Sequence, residues 1–106
     1  MEELKGVSDA FQTFLKEAPA HAGAWLQAVE GLEAASALDQ KTAALAYLAV
    51  MAALGLESGV PFHARLAKKA GATRSEVVSA ILIGLPATGN AVTRCLPAAL
   101  AGYDDA

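Results

Sequence analysis

The chain has 106 residues, a formal net charge of −3 and one cysteine. That length is one domain's worth, spanning 1–106. The acidic balance argues against a nucleic-acid binder, which carries a basic stripe, and the lone Cys95 excludes an internal disulfide and makes a cytoplasmic location the default.

Few punctuating residues divide the chain, and they predict about six helices. Val7, Phe11, Phe14 and Leu15 follow helical spacing, with Ser8 or Asp9 at the start and Pro19 as the stop. A second helix is predicted over about 21–35, with Trp25, Val29 and Leu32 on one face. Asp39 is placed to cap a third. After Thr42, the only polar side-chain atom of that helix before Gly55 is the Tyr47 hydroxyl. A helix apolar all round belongs in a buried setting, so the third helix is read as central, with a neighbouring subunit covering part of it.

Ser58 is positioned to cap a fourth helix, with Pro61 in its first turn. Arg65, Lys68 and Lys69 share one face of it, read as solvated, and His63, Leu66, Ala67 and Ala70 share the other. Gly71 closes it. Thr73-Arg74-Ser75-Glu76 is a capping box that opens a fifth helix carrying Val77, Val78, Ile81, Leu82 and Leu85. Pro86 to Gly89 is a break. A last helix is predicted over about 90–102, kinked where Pro97 removes a hydrogen bond. No segment alternates with period two, so the fold is all-α.

The chain is 55% hydrophobic and its mean hydropathy is +0.38. This is high for a small, surface-rich monomer. The longest uncharged apolar run, Ala43 to Leu56, falls short of the roughly 20 residues that a membrane-spanning helix needs. The run from Val77 to Val92 is interrupted by Gly84, Pro86, Gly89 and Asn90. The start of the chain has no signal-peptide pattern. A homo-oligomer that buries extra surface is the expectation, with no membrane and no nucleic-acid partner.

From Leu38 to about Tyr103 an ordered set of segments carries a resemblance. Leu38-Asp39 with Lys41-Thr42 precedes the alanine-rich stretch to Gly55. His63 follows, then Ala70-Gly71-Ala72-Thr73 with Glu76-Val77, then Gly89-Asn90 and a final helix. The set resembles the carboxymuconolactone decarboxylase / alkylhydroperoxidase D-like family. The resemblance implies an all-α helical bundle assembled as a homo-trimer or homo-hexamer. Redox members carry Cys-x-x-Cys followed four residues later by a histidine, and a glutamate on the preceding helix. Here His63 stands at the histidine position, while Leu56 and Gly59 occupy the cysteine positions and Ala44 the glutamate position. Without paired thiols there is no dithiol–disulfide cycle. The decarboxylase branch also lacks the cysteine pair and acts on a lactone acid, so it is the nearer precedent.

His63 and Glu57 are the catalytic candidates. His63 is either a buried, hydrogen-bonded core histidine or a general acid–base group, with metal ligation a third reading. Glu57 is either a solvated carboxylate or the acid–base partner of His63. Tyr47, Ser58 and Phe62 are the substrate-binding candidates. Ser58 fits a cap better than a nucleophile, because no base or oxyanion hole is identifiable. Cys95 reads as a buried, inert thiol. No metal or cofactor is expected. Three functions stay open: a non-redox protein that binds or converts a small organic acid through His63, a degenerate non-catalytic oligomer, and a peroxidase of the family type.

Overall fold

The structure is a computed structural model that describes residues 6–106. Among the described residues seven α-helical segments and two 3-10 turns follow one another, and there is no strand. Helix α1 (Asp9–Glu17) starts where the Ser8 hydroxyl accepts the Phe11 N–H at 3.2 Å. Pro19 opens α2 (Pro19–Ala35), two residues earlier than predicted. In α3 (Gln40–Leu54) the Asp39 carboxylate accepts the Thr42 N–H at 2.7 Å, and Gly55 ends the helix at φ 70°. That bond holds the Asp39 carboxyl below its ordinary range.

Helix α4 (Val60–Lys69) has Pro61 in its first turn, and Gly71 follows its end at φ 101°. The Thr73–Glu76 capping box opens α5 (Arg74–Leu82), with reciprocal bonds of 3.1 and 2.8 Å. Beyond it the structure departs from the expectation of one kinked helix. A four-residue α6 (Leu85–Thr88) leads into a 3-10 turn, Gly89–Cys95, and then into α7 (Leu96–Asp105). Pro97 lies in the first turn of α7, where its missing N–H costs nothing, so it starts a helix instead of kinking one.

Leu48, Met51, Val60, Ala64, Val77, Ile81, Val92, Cys95 and Ala99 form the core, drawn from α3, α4, α5, the last 3-10 turn and α7. The closest packing joins α4 to α7. Gly102 lies so near Pro61 that a Cβ on it would stand 2.8 Å from the Pro61 carbonyl carbon. The end of α7 is fastened by side chains. The Tyr103 hydroxyl donates to the Ala72 carbonyl at 2.8 Å, and Arg74 grips Asp104 at 2.9 and 3.0 Å. The Lys68 ammonium donates to the Tyr103 and Ala106 carbonyl oxygens at 3.1 and 3.2 Å and lies over the Tyr103 ring. Lys68 is therefore a C-terminal helix cap and not part of a free solvated face.

The stretch Arg74–Asp105 is long and apolar enough by composition to cross a membrane. It does not form one rod, because α5 and α7 pack against each other. In the single chain α3 is not buried all round. Leu48, Met51 and Ala52 face the core, while Tyr47, Val50 and Leu54 face outward.

Candidate functional site

The site sits where the outward face of α3 meets the first turns of α4. The His63 ring lies 4.6 Å from the Tyr47 ring, centroid to centroid, tilted by 46°. The Phe62 ring meets His63 edge-on at 5.3 Å. Two of the three binding candidates, Tyr47 and Phe62, thus flank the imidazole. His63 is half-buried, and burial pushes its pKa below the ordinary histidine value. Burial disfavours the charged ring, and the neutral imidazole has one N–H donor and one lone-pair acceptor, the two functions a proton carrier needs.

The other two candidates stand elsewhere. Ser58 lies within the 3-10 turn Glu57–Gly59 and makes no capping bond, because Gly59 occupies the N-cap of α4. The Glu57 carboxylate pairs with the Arg94 guanidinium at 3.3 Å, and no hydrogen bond joins it to His63. Sequence reasoning did not anticipate this pairing across the fold. The two residues lie far apart in the chain, and such a contact leaves no local pattern. Two shallow depressions on the surface lie away from His63, one along α1 at Gln12 and Lys16 and one on α5 at Arg74 and Val78. Among the described residues no three His, Cys, Asp or Glu side chains converge as a metal site.

The profile of the carboxymuconolactone decarboxylase family matches residues 19–101. The chain belongs to this family. The match starts at the first residue of α2, so it takes in a helix that the resemblance from Leu38 onward left out. No curated protein and no solved structure matches the chain.

The two positions where redox members of the carboxymuconolactone decarboxylase family hold cysteine are now physically legible. Leu56 is half-exposed. At Gly59 an added Cβ would come within 2.8 Å of the Met51 methyl, so a larger residue there would require the flexible end of that side chain to shift. Ala44, at the glutamate position, packs against the core. Cys95 is fully buried. Burial pushes its thiol upward, Glu57 adds to that, and Arg94 partly offsets it. A raised thiol pKa leaves little thiolate, the reactive form.

Proposed function

We propose that this chain is a non-redox member of the carboxymuconolactone decarboxylase family that binds or converts a small organic acid, with His63 as the acid–base group. The observation that carries the reading is the half-buried His63 ring flanked by Tyr47 and Phe62 at the α3–α4 junction, where burial lowers its pKa. A neutral imidazole takes a proton from a carbon beside a carbonyl and returns it at another position, which is an isomerisation. In a decarboxylation the carbon–carbon bond to the carboxylate breaks as carbon dioxide leaves, the electron pair left on carbon takes the proton of the protonated His63 ring, and the neutral ring regains a proton from solvent. Tyr47 and Phe62 supply apolar walls that hold the ring's orientation. A cytoplasmic homo-trimer or homo-hexamer, with no membrane or nucleic-acid partner, belongs to the same reading.

Replacing His63 by Gln keeps the size and polarity of the side chain and removes the titratable nitrogen. Turnover of the acid is expected to fall by about 10²- to 10⁴-fold, the usual contribution of a general acid–base group, with helicity unchanged. Unchanged turnover in His63→Gln contradicts the assignment.

A second reading, a non-catalytic member kept for assembly, is favoured by one observation: Glu57 is engaged by Arg94 and makes no hydrogen bond to His63. A crystal structure with a ligand seated beside His63 would count against it. A peroxidase of the dithiol type has the least support, since the chain has one cysteine and its thiol is buried.

A further inference from the structure

Two glycines far apart in the chain press on one peptide of α4, the peptide that joins Pro61 to Phe62. A Cβ added at Gly6 would stand 2.9 Å from the Phe62 backbone nitrogen and 3.1 Å from its Cα. A Cβ added at Gly102 would stand 2.8 Å from the Pro61 carbonyl carbon. Both obstacles are backbone, which cannot turn aside as the end of a side chain can. Among the described residues no other glycine would meet backbone this closely. Gly6 also holds φ at 84°, a left-handed value that residues with a Cβ rarely adopt. Both glycines lie outside residues 19–101, the part of the chain that the family profile covers.

The peptide they touch leads directly into the site. Phe62 meets His63 edge-on at 5.3 Å, and His63 is the next residue along α4. The pyrrolidine ring of Pro61 fixes its φ near about −65°, so the first turn of α4 yields little by bending. A push on the Pro61–Phe62 peptide is therefore passed on to the Phe62 and His63 rings.

The two glycines sit on supports of different stiffness. Gly102 belongs to α7, which is fastened next to it by the Tyr103 hydroxyl on the Ala72 carbonyl, by Lys68 on the Tyr103 carbonyl and by the Arg74–Asp104 pair. Gly6 precedes α1. Its neighbour Val7 is tied through its carbonyl to the Gln12 side chain at 2.9 Å, within the same local stretch, and α1 packs mainly on α2. The Gly102 side is thus anchored to the core, while the Gly6 side can lift without unpacking it.

We infer that Gly6 and Gly102 are positioning residues for the site, and that the segment carrying Gly6 is a strap that holds the first turn of α4 so that Phe62 stays edge-on to His63. The holding stands on the close approaches alone. That it serves proton transfer rests on the proposed function.

The imidazole of His63 reports on the strap. Proton magnetic resonance of the full chain, followed over pH, reads the carbon-bound ring protons of the two histidines, and His63→Gln identifies the His63 signals by their loss. In Gly6→Ala the strap is expected to lift with helicity unchanged. The His63 signals then shift as the Phe62 ring leaves its edge-on position, and their titration midpoint rises toward the ordinary value of 6.5 as water reaches the ring. Gly102→Ala is expected to shift the same signals from the anchored side. Gly71→Ala is the control. It strains a backbone at φ 101° but places its methyl in open space, so it is expected to lower the urea midpoint and leave the His63 signals where they are. Unmoved His63 signals in Gly6→Ala, or an equal shift in Gly71→Ala, overturn the inference. Loss of helicity in Gly6→Ala also overturns it, because the segment would then support the fold and not the ring. Should Gly102→Ala not fold, the comparison of Gly6→Ala with Gly71→Ala decides. No readout here uses a substrate, so a failure of the acid-binding reading shows separately, as unchanged turnover in His63→Gln.

Discussion

At the scale of residues, burial of His63 has a consequence for stability as well as for chemistry. Its folded pKa lies below the ordinary value near 6.5, so the unfolded chain takes up this proton first as pH falls. The linkage therefore leaves stability untouched above the ordinary histidine range. It removes stability as pH drops through that range, and levels off below the lowered folded value. Urea unfolding of the wild type is expected to show this decline, and His63→Gln to lose that component. The same decline in both proteins would contradict the burial of His63. Gly102 gives a second prediction at this scale. Its Cα faces the Pro61 backbone with no room for a methyl group. Backbone cannot swing aside as a side chain can, so Gly102→Ala is expected to cost about 1–3 kcal/mol or more through overpacking, measured as a lowered urea midpoint.

At the scale of elements, the local signals in the chain were strong where short-range chemistry sets the boundary. Asp39, Gly55, Pro61 and the Thr73–Glu76 box each act within four residues, and each does in the structure what its type implies. Thr73→Ala is expected to cost roughly 1 kcal/mol by removing the side-chain acceptor for the Glu76 N–H, and thermal unfolding with far-ultraviolet circular dichroism reads it. The region after Leu82 was less legible. Pro97 has two meanings, breaker in mid-helix and good first-turn residue. Only the 3-10 turn over Gly89–Cys95 decides between them. The candidate site divides along the same line. His63 and its ring neighbours Tyr47 and Phe62 were legible from helix register and the resemblance. The Glu57–Arg94 pair, the Met51 methyl against Gly59 and the Lys68 cap on α7 were not, because each joins elements that only the tertiary fold brings together.

At the scale of the whole molecule, composition already pointed beyond one chain. The sequence is 55% hydrophobic, which raises the expectation of an oligomer, and the structure leaves large apolar side chains exposed. They are concentrated on α2 and on the outward face of α3, beside the half-buried imidazole. The family membership, the half-buried His63 beside Tyr47 and Phe62, and the exposed apolar faces are the observations behind the proposed reading of a non-redox, acid-binding site in a homo-oligomer. The most direct measurement is a native mass spectrum of the freshly purified protein, titrated with small organic acids. The account predicts a symmetric oligomer that gains the mass of an acid, with the gain lost in His63→Gln. A stable monomer that takes up no acid would contradict it.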